Sequence, residues 1–186
     1  MSGSSIVVMG VCGCGKSTIG ERLANRLGRQ FIDGDDLHPS ANIQKMAAGQ
    51  PLDDTDRQPW LESIRDVACR FESHNEHGVL VCSALKKDYR DQIRKGNKQV
   101  TFVFLDGEMA LILERMRMRQ GHFMKENMVK SQFDTLERPD HEPQTIVVSI
   151  QGTIEQVIER IVTQLKQAQI PEVKTPEVKA PEEKSS

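Results

Sequence analysis

Residues 10–17 read G-V-C-G-C-G-K-S and satisfy G-x-x-x-x-G-K-[ST] at every fixed position. Such a loop is meaningful between a strand and a helix, and both flanks comply. Ile6-Val7-Val8-Met9 is a short apolar run suited to a buried strand, while Ile19, Leu23, Ala24 and Leu27 recur at helical spacing. Glycines admit backbone angles that other residues avoid, so successive N–H groups can converge on an anion. The helix behind the loop adds its positive end. Gly10, Val11, Cys12, Gly13, Cys14, Gly15, Lys16, Ser17 and Thr18 therefore read as a site for a nucleoside triphosphate. Lys16 would reach the β- and γ-phosphates, and the Ser17 hydroxyl would ligate Mg²⁺. A glycine-rich turn with no ligand is the competing explanation, and the strand–loop–helix context argues against it.

The rest of the chain repeats that alternation. Phe31-Ile32-Asp33 ends a second strand, and 41–48 suits a short helix closed by Gly49 before Pro51. A longer helix is expected from about Pro59, with Leu61, Ile64, Ala68 and Phe71 on one face. Val79-Leu80-Val81-Cys82 reads as a central strand, 86–95 as a helix, and 100–105 as a fourth strand. Helices over about 108–119 and up to about 137 follow, joined through Gln120-Gly121-His122-Phe123. A fifth strand at 146–148 and a helix carrying Ile154, Val157, Ile158, Ile161, Val162 and Leu165 complete the pattern. The fold class is α/β, a parallel five-stranded sheet with helices on both faces. Ligands should gather at the carboxyl ends of its strands, beside the loop, 33–38 and Ser83.

The length of 186 residues allows one ordinary domain. Twenty-five basic against 27 acidic residues gives no whole-chain argument for nucleic acid or an anionic membrane. No apolar run approaches the roughly 18 residues needed to span a bilayer. Without a signal-peptide pattern at the start, a cytoplasmic protein with reduced cysteines is expected. The four cysteines include no C-x-x-C pair and the five histidines show no zinc-enzyme spacing, so no such metal site is expected. Cys12 and Cys14 are either small loop residues that happen to be thiols, or thiols activated by Lys16 and the helix end and so open to oxidation. From Pro171 the chain runs P-E-V-K-T, P-E-V-K-A, P-E-E-K-S-S, which cannot bury enough apolar surface to order itself. The expected division is a folded nucleotide-binding domain over 1–168 and a disordered tail over 169–186.

A phosphate loop leaves the acceptor open. Asp33 and Asp35, two apart in a segment expected to be extended, can divide the work: one holds Mg²⁺, the other deprotonates an attacking hydroxyl. Asp36 is expected to cap the next helix instead. Asp106, after an apolar strand, rivals Asp33 for magnesium. Lys86, Arg90 and Arg94 at i, i+4, i+8 line like charges along one helix face, which is unfavourable unless anions lie nearby. Either Asp88 and Asp91 relieve that charge, or Ser83, Lys86 and Arg90 hold an anionic acceptor such as a carboxylate. Arg115, Arg117 and Arg119 lead into Gly121 and could belong to a lid that closes arginine onto the phosphates. A nucleotide-switched binding protein is the alternative class; Asn97-Lys98-Gln99-Val100 lacks the final acid of a guanine signature.

Five further blocks carry a resemblance. They are D-G-D-D-L-H-P-S-A-N-I-Q-K-M from Asp33, G-Q-P-L-D-D-T-D-R-Q-P-W-L from Gly49, V-C-S-A-L-K-K-D-Y-R from Val81, R-x-G-H-F ending at Phe123, and S-Q-F-D-T-L-E-R-P from Ser131. Over about 5–168 the chain resembles the bacterial-type gluconokinases. The resemblance implies a P-loop kinase fold with a small lid, ATP and Mg²⁺, and phosphorylation of D-gluconate to 6-phosphogluconate, which feeds gluconate into carbohydrate metabolism. It also implies a homodimer with no nucleic-acid or membrane partner. Carried over residue by residue, it places Asp33 near Mg²⁺ and makes Asp35 the base, with Lys16 and Arg119 serving catalysis. His38, Arg57, Ser83, Lys86, Arg90 and His122 become acceptor-binding candidates beside Asp35. The family's phosphate loops usually carry serines where this chain has Cys12 and Cys14, and the tail lies outside its pattern.

Overall fold

The apolar runs form five parallel strands in the computed structural model, which describes residues 2–119 and 123–168. They are β1 (Ser4–Met9), β2 (Gln30–Asp33), β3 (His77–Val81), β4 (Val100–Asp106) and β5 (Thr145–Ser149), in the spatial order β2-β3-β1-β4-β5. Every residue of β1 is buried, because it pairs with β3 on one side (Val7 opposite Leu80) and β4 on the other (Val7 opposite Phe102). Among the described residues seven α-helices accompany the strands: α1 (Lys16–Leu27), α2 (Ser40–Ala47), α3 (Asp54–Ser73), α4 (Lys87–Arg94), α5 (Met109–Met118), α6 (Phe123–Thr135) and, after the last strand, α7 (Ile154–Gln167).

Alternation along β1 separates two cores. Ile6 and Val8 face a cluster built from α1 and α7, with Leu23, Leu27, Ile161 and Leu165. Val7 and Met9 face a cluster built from α3 and α4, with Leu61, Ile64, Phe71 and Ile93. The expected α/β sheet with helices on both faces is the observed one. The stripe on α7 packs into the first core as helical spacing requires.

Three local expectations are corrected. The long helix begins at Asp54, not near Pro59. Asp53 accepts from the Asp56 N–H at 2.7 Å while the Asp56 carboxylate accepts from the Asp53 N–H at 3.0 Å, a reciprocal cap stronger as a start signal than a proline. Pro59 therefore lies inside the helix. Residues Gly34–Leu37 form a 3-10 turn and not an extended segment, and its cap is Asp33, which accepts from the Asp35 N–H. Asp36 sits inside that turn, and α2 has no side-chain cap. The expected tail over 169–186, the lid segment 120–122 and His122 lie outside the described residues.

Arg90 is a further correction. It is 0% exposed and all its reach is inward. It donates to Glu142 at 2.6–3.1 Å, to the Ala84 carbonyl at 2.7 Å and to the Glu137 carbonyl at 2.7 Å. Arg94 adds a second pair to Glu142 at 2.9 Å. The like-charge row is thus neutralised in part by an internal acid, so Arg90 is a strut and not an acceptor ligand. Burial would raise the Glu142 pKa, but hydrogen bonds from Arg90 and Arg94 outweigh it and the net shift is downward. Glu142→Ala should cost about 3–5 kcal/mol in urea unfolding, because it strands a buried guanidinium. Since Glu142 titrates below its unfolded value, its contribution is present above the ordinary glutamate range and lost as pH falls through the depressed value. A variant as stable as the parent at neutral pH would contradict the strut.

Candidate active site

The loop after the central strand is set by its glycines and by what packs against them. Gly13 has φ +80°, and a Cβ there would meet the Met116 sulfur at 2.7 Å, so only glycine lets α5 lie against the loop. Gly15, at φ +94°, is the left-handed residue from which α1 departs. The Gly10 N–H donates to the Ser83 carbonyl at 3.3 Å, tying the loop to the end of β3. Lys16 folds across the loop and donates to the Val11 carbonyl at 2.9 Å. Cys14 is buried, and burial pushes its thiol pKa up against the pull of Lys16. The activated-thiol expectation is therefore corrected for Cys14: the low-dielectric setting wins over the nearby charge.

The acidic turn lies directly beside the loop. The Ser17 hydroxyl is 3.5 Å from Asp33 Oδ2, while Asp33 Oδ1 holds the turn through the Asp35 N–H at 3.0 Å. A hydroxyl and a carboxylate side by side suit Mg²⁺, which takes few protein oxygens and fills its shell with phosphates and water. Asp106 is engaged elsewhere, in a two-pronged pair with Arg138 at 2.9 Å on each oxygen. Between the rival acids, Asp33 is the one next to Ser17. The Asp35 pKa is raised, first by burial and then by Asp33, with His38 and Lys16 opposing. A carboxylate made more basic than usual beside the phosphate loop can take a proton from a hydroxyl.

A third wall follows β3. Ala84 takes φ +45°, a left-handed turn whose carbonyl Arg90 holds, so Ser83 is placed at the strand end. Lys86 bonds both Asp54 oxygens at 3.3 Å, and Arg57 donates to the Leu52 carbonyl at 2.7 Å. Both cations lie over the Tyr89 ring, which also bonds Asp54. The Lys86–Asp54 pair is half exposed and so weak, leaving Lys86 able to exchange Asp54 for an incoming carboxylate. His38 stacks on Trp60 with ring centres 4.3 Å apart, and Trp60 Nε1 donates to the Gly34 carbonyl at 2.7 Å.

On the other side of the loop lies a cleft of about 220 Å³, bounded by Gly15, Arg115, Arg119, Ile150, Thr153 and Val157. Apolar walls and a guanidinium edge beside a phosphate loop fit a flat heteroaromatic base. The three arginines divide. Arg115 donates to the Ile150 carbonyl at 2.8 Å and shapes the wall, Arg117 pairs with Glu126 at 2.7 Å on the surface, and exposed Arg119 lines the cleft.

Sequence reasoning gave no role to Gln132, Asn42 or Arg138. Gln132 Oε1 accepts from the Cys12 N–H at 2.6 Å, so α6 fastens the loop from 120 residues away. Asn42 bonds His38 and the start of α3. Arg138 pairs with both oxygens of Asp106, the rival acid for magnesium. Only their places inside the quoted blocks could have marked them.

The shikimate kinase family matches residues 12–169. The thermosensitive gluconokinase of Escherichia coli K12 is 50% identical over 161 residues, covering 86% of each chain. The thermoresistant gluconokinase of the same organism is 43% identical over 162 residues, covering 87% of this chain and 93% of that one. The crystal structure of a gluconokinase from Sinorhizobium meliloti 1021 superposes with a TM-score of 0.81 at 42% identity, over 89% of this chain and 93% of that one.

Proposed function

This chain belongs to the gluconokinase family, within the shikimate kinase fold, and from that premise we propose that it transfers the γ-phosphoryl group of ATP to the C6 hydroxyl of D-gluconate. One contact carries the reading: Ser17 of the nucleotide loop meets Asp33 of the turn that bears Asp35, so phosphoryl donor and hydroxyl activator share one corner.

The residues take these roles in the proposal. The N–H groups of 10–18 and Lys16 hold the phosphates, the cleft beside Arg119 takes the base, and Ser17 with Asp33 would hold Mg²⁺. Bound there, the ion supplies charge neutralisation on the phosphates. Asp35 accepts the proton of the C6 hydroxyl as its oxygen bonds the γ-phosphorus, and the bond to the bridging oxygen of ADP breaks. Lys86 and Arg57 offer cations to the gluconate carboxylate, while Ser83 and His38 offer hydrogen bonds to its hydroxyls. Arg119 leads the lid arginines. Transfer then depends on positioning and charge, with no covalent enzyme intermediate.

A cytoplasmic location belongs to this proposal, as the compartment that supplies ATP and keeps thiols reduced. No helix among the described residues is long and apolar enough to cross a membrane. Homodimerisation rests on the family resemblance, and light scattering on the purified protein tests it. The 1–168 kinase domain with a separate tail is proposed on composition.

ADP release with Mg-ATP, in the presence of D-gluconate, shikimate or nucleoside monophosphates, tests the acceptor. Turnover with gluconate alone is expected. Slow release that ignores every acceptor would favour a nucleotide switch instead.

A further inference from the structure

His38 is held on two sides by the protein. Its ring lies nearly parallel to the Trp60 indole, at 13°, and its Nδ1 is 3.2 Å from Asn42 Nδ2. Asn42, on α2, is only 3% exposed, and the same Nδ2 lies 2.8 Å from the carbonyl oxygen of Asp56. A backbone carbonyl can only accept, so the Asn42 atom facing it has to be the amide nitrogen. That fixes the carboxamide, and its second N–H points at His38. Nδ1 must then accept, and a neutral imidazole that accepts at Nδ1 carries its proton on Nε2.

We propose that Asn42 is a positioning residue that locks His38 as a neutral Nε2–H donor for a hydroxyl of the polyol acceptor. The proposal rests on the gluconate reading above. Its chemical sense lies in Asp35, whose carbonyl accepts from the His38 backbone N–H at 3.3 Å, closing the turn that brings the two residues together, and whose charge acts on the ring. A cationic imidazole there would attract the Asp35 carboxylate and make it a poorer base. A neutral donor binds the substrate without that penalty. The charged groups around the ring point the same way on balance. Burial lowers the His38 pKa most, Asp35 raises it, Arg57 lowers it, and the net direction is down. The Lys45–Asp56 pair, at 2.5 Å, lies behind Asn42 and cancels its own charge.

The test begins with the full-length parent protein. Nitrogen-15 NMR of the imidazoles, with His38 assigned by its loss in His38→Gln, should show Nδ1 bare and Nε2 protonated at neutral pH. A protonated Nδ1, or an even mixture of tautomers, would overturn the lock whatever the activity data say. Asn42→Asp reverses the polarity at Nδ1, because a carboxylate only accepts. His38 should then bind its proton at least about tenfold more tightly, and the KM for gluconate should rise about tenfold while that for ATP stays within about twofold. A folded Asn42→Asp protein with an unchanged KM for gluconate would overturn the role in acceptor binding. If that variant does not fold, the tautomer in the parent protein still decides. Turnover of a different acceptor by a parent protein with bare Nδ1 would sink the gluconate reading and leave the lock standing.

Discussion

Lys16→Met should lower kcat with gluconate by about a thousandfold or more, while the protein stays folded and still binds adenosine nucleotide measurably. Lys16 folds back across the loop, and its ammonium rests on the Val11 carbonyl at 2.9 Å. A γ-phosphoryl group arriving in the loop offers that ammonium a better partner than a neutral carbonyl. As the group leaves ADP, charge builds on the bridging oxygen and on the equatorial oxygens, and Lys16 is positioned to meet it. Removing an interaction that strengthens in the transition state lowers kcat and kcat/KM together. A methionine keeps the length and apolar stem but no charge. Steady-state kinetics across ATP concentrations checks this, and a kcat within tenfold of the parent would remove Lys16 from the phosphoryl-transfer role.

Asp35→Asn should depress kcat by about 10²–10⁴-fold, with ATP affinity nearly unchanged. The substitution keeps shape and hydrogen bonding yet abolishes the proton acceptor. It should also leave the protein as stable as before or slightly more so. Burial and Asp33 raise the Asp35 pKa in the fold, so its folded value exceeds its unfolded one. The stability tied to that shift is full below the unfolded pKa and lost as pH rises through the folded pKa, which means ionised Asp35 is a burden at neutral pH. Lost turnover with retained melting temperature is the signature of a group kept for chemistry. In the parent enzyme, the acidic limb of kcat/KM should lie above the ordinary aspartate range, because Asp35 must be ionised to act. An Asp35→Asn enzyme with near-normal kcat would pass the base role to another group.

Much of this was legible in the sequence. The strands are continuous apolar runs because both sheet faces are covered, and the loop motif sits between the first strand and the first helix with no ambiguity of register. Asp33 and Asp35 stand out as candidates because their chemistry is local, two carboxylates closely spaced after a strand, and Lys86 because of its row with Arg90 and Arg94. What was misread depends on distant partners. Arg90 looked like part of an anion-binding row, but Glu142, 52 residues onward, turns it inward. Asp106 rivals Asp33 for magnesium in the sequence, and its pair with Arg138 comes from beyond α6. The start of α3 is the exception, because its reciprocal cap between Asp53 and Asp56 is local and outweighs the proline at 59 as a start signal. Gln132 and Asn42 carry no reactive chemistry of their own, and their roles lie in the bonds they form, Gln132 with Cys12 and Asn42 with His38 and the Asp56 carbonyl.

The most direct measurement follows the phosphorus itself, by phosphorus NMR of a reaction holding the purified protein, Mg-ATP and D-gluconate. The γ-phosphate signal should disappear as ADP and one new phosphomonoester grow together, the new signal split into a triplet by the two protons of C6, and chelation of Mg²⁺ should stop all three changes. Inorganic phosphate as the only new signal, at the same rate with and without gluconate, would contradict phosphoryl transfer to this acceptor.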